Sequence, residues 1–150
     1  MTAPRIYLDA NVFIYAYETR GTRSEHAWRI FEAIERDELI AVTSELTLAE
    51  VLVGPIHDGD DELAGQYHNI FSSEGEFSVA AVERRVLVEA AVLRSFARSL
   101  KLPDAIHVAT ARVHDCKFVI SDDSRLSIAP GLSIVQLGPN SLDTIREESR

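Results

Sequence analysis

Four places along the chain supply carboxylates where a folded protein can use them. They are Asp9 at the end of a short apolar run, Glu50 inside an apolar helical pattern, Asp104 at the start of another helix, and the pair Asp122-Asp123 after a later apolar run. Each has an ordinary structural explanation on its own. Asp9 suits a helix cap, with Asn11 as a turn residue. Glu50, three residues after Thr47, fits a capping box, Asp104 favours a helix dipole, and Asp122-Asp123 reads as an acidic turn. Together they point to chemistry. Gathered carboxylates repel and raise one another's pKa unless a cation neutralises them. Mg2+ or Mn2+ suits such an all-oxygen set, and Mg2+ is commonly held by one or two carboxylates with waters and substrate phosphates. Glu50, a charge in an apolar helix, also requires a partner. No His pair or cysteine cluster has zinc spacing. His26, His57, His68, His107 and His114 are scattered, and no Ser-His-Asp arrangement is legible.

The elements that must position these acids follow from the apolar pattern. Ile6 to Leu8, Leu39 to Val42, Phe77 to Val79, Phe118 to Ile120 and Ser133 to Leu137 read as short strands. Between them, Val12 to Tyr17, Glu25 to Arg36 with Ser24 as its cap, a run from Ser44 stopped by Gly54-Pro55, and Leu63 to Ser72 read as helical. The Ser44 run is apolar nearly all round, which predicts a well-buried helix. Val82 to Leu100 is the longest helical pattern and carries Arg94, Arg98 and Lys101 as a basic ridge; the helix beginning at Pro103 follows. Gly138 to Arg150 reads as a polar tail. The order βαβαβαβ predicts an α/β fold, a parallel sheet covered on both faces with right-handed crossovers. In such a sheet ligands bind at the carboxyl ends of the strands, where Asp9 and Asp122-Asp123 fall.

Length and composition set the limits. A chain of 150 residues with 46% hydrophobic content is one domain's worth of material with a real core. No apolar run approaches the ~20 residues of a membrane-spanning helix, and the first residues lack a signal-peptide layout. With Cys116 as the single cysteine, read as a small buried hydrophobe, the expectation is a cytoplasmic protein without a disulfide. The net charge of −9 argues against a uniformly basic nucleic-acid-binding surface. The charge is uneven, however. Glu45 to Glu76 holds eight acidic residues and no Lys or Arg, whereas Arg84 to Arg125 holds eight basic against five acidic residues. A polyanion can be guided over the second half.

Leu8-Asp9-Ala10-Asn11-Val12, Leu46-Thr47-Leu48-Ala49-Glu50-Val51, Leu102-Pro103-Asp104-Ala105-Ile106-His107-Val108-Ala109-Thr110-Ala111 and Phe118-Val119-Ile120-Ser121-Asp122-Asp123, in this order, resemble the motifs of PIN-domain ribonucleases. The likeness is greatest to the VapC-type toxins of toxin–antitoxin pairs and spans Ile6 to Leu137. The resemblance implies a three-layer α/β/α domain over residues 1–150 with a parallel, about five-stranded sheet. It implies a Mg2+- or Mn2+-dependent endoribonuclease, a homodimer, and a small cognate VapB-type antitoxin. Carried over by motif, Asp9, Glu50, Asp104 and Asp123 are the four acids, with Ser121 and Asn11 in support. Asp122 stands where Asn is often found, so the fourth ligand is Asp122, Asp123 or both. Arg94, Arg98, Lys101 and Arg125 are candidate RNA contacts, and tRNA, rRNA or mRNA the candidate substrates. The competing expectation is a PIN-fold module that binds RNA or protein without cutting. A phosphoacceptor receiver domain ranks well below, because the early acid is single and no middle strand ends in Asp.

Overall fold

The computed structural model describes residues 2–122 and 131–150. Its elements are β1 (Arg5–Leu8), α1 (Ala10–Glu18), α2 (Thr22–Glu35), β2 (Ile40–Ser44), α3 (Glu45–Asp58), α4 (Asp61–Ile70), β3 (Ser78–Ala80), α5 (Arg84–Phe96), α6 (Leu102–Val113), β4 (Phe118–Ile120), β5 (Ser133–Val135) and α7 (Ser141–Glu148). The five strands form one parallel sheet in the order β3-β2-β1-β4-β5. The α/β class and the parallel five-stranded sheet are as the sequence predicts.

The apolar runs become central strands because both of their faces are covered. Side chains alternate across the sheet. Ile6 and Leu8 of β1 join Phe118 and Ile120 of β4 on the face covered by α1 and α2. Tyr7 and Val119 point to the other face, covered by α5 and α6. The chain lays β2 and β3 on one side of β1, then crosses back to place β4 on the other. The switch in direction therefore lies between β1 and β4, and the carboxyl ends of the strands at such a point are the usual ligand position in these sheets. Asp9 follows β1 directly, and Ser121-Asp122 follows β4 directly.

Several local expectations change. The run from Ser44 continues through Gly54-Pro55 to Asp58, with Pro55 inside α3. A proline there forfeits one backbone hydrogen bond. Its ring is buried, and the helix closes on Gly59 at φ +67 with Asp60 N–H on the Pro55 carbonyl. This helix is also less buried than its composition predicts, since Val53 and Ile56 are each 67% exposed. α2 begins after Gly21, not at Ser24, which lies buried within it. α5 ends at Phe96, because the chain must turn to bury Leu100 before α6 starts. Arg98 and Lys101 thus leave the helix, and the basic ridge does not form: Arg94 turns its Nε onto the Leu100 carbonyl. Finally, the polar tail carries α7, because Leu142 and Ile145 lie about one turn apart and pack against the core, with Ile145 fully buried. Cys116 is buried as expected, and burial pushes its thiol up to about 12.

Candidate active site

Asp9 is where a strand becomes a helix. The Thr43 hydroxyl donates to the Leu8 carbonyl at 2.9 Å, tying down the end of β1. The next residue caps α1, its carboxylate accepting the Asn11 backbone N–H at 3.1 Å. Asp9 is 8% exposed. Burial raises its pKa, against the opposing pull of the Ser121 hydroxyl, of His107 and of the Val12 and Asn11 N–H groups. A carboxylate held where its charge is disfavoured suits a cation as neighbour. Asn11 thus supports Asp9 through its backbone, while Ser121, buried after β4, supports it through its side chain.

Two residues before Asp9, Tyr7 sends its phenol to the same face of the sheet. Small residues on α6 (Ala105, Ala109, Ala111) let that helix lie close, and His107, 4% exposed, reaches the phenol: Tyr7 Oη and His107 Nδ1 are 2.5 Å apart. The other ring nitrogen, Nε2, is 2.5 Å from Glu50 Oε1. Burial drives the Tyr7 phenol far above its ordinary pKa, so it stays protonated. His107 is the partner that Glu50 requires, and Glu50 is 38% exposed at its side chain. Asp104, half-buried in the first turn of α6, stands one turn before His107 on the same helix face.

Asp122 is held differently. Its Oδ2 accepts from the Tyr15 hydroxyl at 2.8 Å and pairs with Arg23 Nη1 at 3.1 Å, while the Arg23 guanidinium lies 5.0 Å over the Tyr15 ring. This ties the carboxyl end of β4 to α1 and α2. Asp123 and Arg125 lie outside the described residues. Arg98 and Lys101 are exposed beside the start of α6.

The structure therefore joins Asp9 to Ser121 and His107 to Glu50, sets Asp104 on the helix that carries His107, and engages Asp122 with a cation of its own. Among the described residues no three His, Cys, Asp or Glu side chains converge closely enough to hold an ion. The donor chemistry suits a hard divalent cation nonetheless: Asp9 and Asp104 offer carboxylate oxygens, and Asp9 is buried where its charge is disfavoured. His107 is the functional candidate that spacing alone did not single out. Its signal was present, since it lies three residues after Asp104 and Glu50 lacked a partner. Tyr15 and Arg23 left no such signal.

The model of the PIN domain family matches residues 6–132. No curated protein matches the chain at a significant level. Among solved structures, VapBC2 from Rickettsia felis bound to a promoter DNA fragment superposes with a TM-score of 0.71 at 15% identity, covering 88% of this chain and 98% of that one. A toxin–antitoxin complex from Klebsiella pneumoniae gives 0.65 at 24% identity, covering 87% and 95%. VapC20 from Mycobacterium tuberculosis, a sarcin-ricin loop cleaving toxin, gives 0.68 at 17% identity, covering 83% and 95%. At these identities the likeness is one of fold.

Proposed function

The chain belongs to the PIN-domain family, and from that premise we propose that it is a Mg2+- or Mn2+-dependent endoribonuclease, the toxin of a toxin–antitoxin pair. The observation that carries this reading is Asp9, a buried carboxylate of raised pKa at the switch point of the sheet, two residues after Tyr7, on which α6, the helix of Asp104, is packed. Asp9 and Asp104 would hold the ion, with Asp123 as the fourth acid and Glu50 at the margin. A bound divalent ion lowers the pKa of its water and stabilises charge on a scissile phosphate. The chain's own residues do the positioning: Thr43 fixes the end of β1, the α1 N–H groups and Ser121 orient Asp9, and His107 holds Glu50.

RNA flanking the cut would meet Lys101, Arg98 and Arg94, with Arg125 as a further contact, and such contacts weaken as salt rises. An antitoxin of VapB type would restrain the nuclease. The segments Val12 to Phe31 and Leu46 to Phe71 expose Trp28, Val53 and Ile56, which suit the apolar face of a partner helix. We place the protein in the cytoplasm as a homodimer. Among the described residues, no helix is long and apolar enough to cross a membrane.

One observation favours the second reading, a PIN-fold module that binds RNA or protein without cutting. Glu50 and Asp122 are already paired, with His107 and Arg23. Purified protein incubated with total RNA and Mg2+, Mn2+ or EDTA, beside Asp9→Asn, separates the two, with products mapped at their 5′ ends. Discrete metal-dependent cuts lost in the variant support the nuclease. No cutting by folded wild type under either metal supports the binding module.

A further inference from the structure

Glu50 is a candidate acid whose place depends on a buried side chain of another helix. It projects from α3, partly exposed, and a glutamate there has three freely turning bonds between its backbone and its carboxylate. What limits it is a chain of two hydrogen bonds reaching back into the core, Tyr7 to His107 Nδ1 and His107 Nε2 to Glu50 Oε1, each 2.5 Å. For a neutral imidazole the proton inventory sets the direction, and in either charge state Nε2 donates to Glu50. A phenol has one proton to give, a carboxylate only accepts, and a neutral imidazole has one accepting and one donating nitrogen. With Tyr7 donating to Nδ1, the imidazole proton sits on Nε2 and is donated to Glu50. Tyr7 is fully buried on the central strand and His107 is packed on α6, so neither end of the relay is free to follow the glutamate.

We propose that His107 is a positioning residue, which with Tyr7 behind it pins Glu50 Oε1 and leaves Oε2 as the oxygen that meets a ligand at the site. The role in cleavage rests on the nuclease reading above; the pinning itself does not. An orienting partner outside the ligand set, removed by mutation, commonly costs 10–100-fold in affinity or activity.

The test has an arm that needs neither metal nor RNA. Imidazole 15N spectra of the intact protein, with the His107 signals assigned by their loss in His107→Gln, are expected to show a protonated Nε2 and an accepting Nδ1. The Nε2 signal is expected to move in Glu50→Gln and the Nδ1 signal in Tyr7→Phe. A proton on Nδ1 with a bare Nε2, or a spectrum unchanged by Glu50→Gln, overturns the proposal. In the cleavage arm, His107→Leu is expected to lower kcat about 10–100-fold with KM for RNA within about twofold. His107→Gln, whose amide N–H can reach the same oxygen, is expected to recover most of that loss. Equal impairment of both variants, or loss that tracks the unfolded fraction in thermal melts, also overturns it. Wild-type protein that cuts no RNA overturns the nuclease reading alone, and the imidazole spectrum then still decides the pinning.

Discussion

The two faces of the sheet are filled by different side chains. Against α1 and α2 the packing is aromatic: the Phe13 ring lies 5.6, 4.9 and 5.2 Å from the rings of Phe31, Phe71 and Phe77, and Tyr17 and Trp28 extend the cluster. Against α5 and α6 it is made of small residues, Ala80, Ala90, Ala105, Ala109 and Ala111, among valines and leucines. Bulk on the first face buries much apolar area per residue, the main source of stability. Smallness on the second lets a helix approach the central strand until His107 touches Tyr7. Stability is concentrated on one face, and the placement of functional groups on the other.

That division can be broken at several points. The largest effect is expected from Asp9→Asn, which removes the buried charge but keeps a good helix cap. Cleavage should fall about 10^3-fold or more, as losses of single electrostatic groups in active sites reach that range, while the melting temperature does not fall. Because burial raises the Asp9 pKa, the folded state prefers the protonated acid, and ionisation lowers stability as pH rises above the unfolded value near 3.8. In metal-free buffer the variant should therefore be the more stable protein at pH 7, by on the order of 1 kcal/mol, with the gap closing as pH falls. Thermal melts at several pH values check this.

Phe13→Ala should do the reverse. Removing a fully buried ring costs about 3–5 kcal/mol, or roughly 6–20 °C in Tm for a domain of this size, while the molecules that remain folded cut at the normal rate. Ala109→Val joins the two properties: overpacking beneath α6 should cost about 1–3 kcal/mol and, by moving α6 from β1, reduce kcat with it. If its activity stays normal while stability falls, close approach of α6 does not matter to the site. The smallest effect is expected at Arg146→Ala, which removes an exposed pair with Glu38 and should change stability by no more than about 0.5 kcal/mol, with cleavage unaltered.

Much of this was legible in the residues. Strand ends are announced by an apolar run breaking at an acid, so Asp9 and the Ser121-Asp122 pair could be placed from the pattern alone, and parallel strands alternating with helices follow from the order of the runs. Helix ends were harder. Pro55 stays helical because tertiary burial outweighs one lost hydrogen bond, and α5 stops early because Leu100 must reach the core; neither is a local property. The pairings were hardest. Glu50 announced a need for a partner, but that His107 meets it depends on a helix 57 residues further on packing closely over alanines, and Arg23 finds Asp122 across 99 residues.

The strand order carries a consequence for how the protein comes into being. β1 leaves the ribosome first, yet its neighbour on one side is β4, with Ile6 beside Phe118. Translation at about 5–20 residues/s puts roughly 5–20 s between the two. For that interval Asp9 has no Ser121 beside it and no α6 above it. A growing chain already has its aromatic half in hand but cannot bring these groups together, so whatever activity depends on them begins only after β4 has been made.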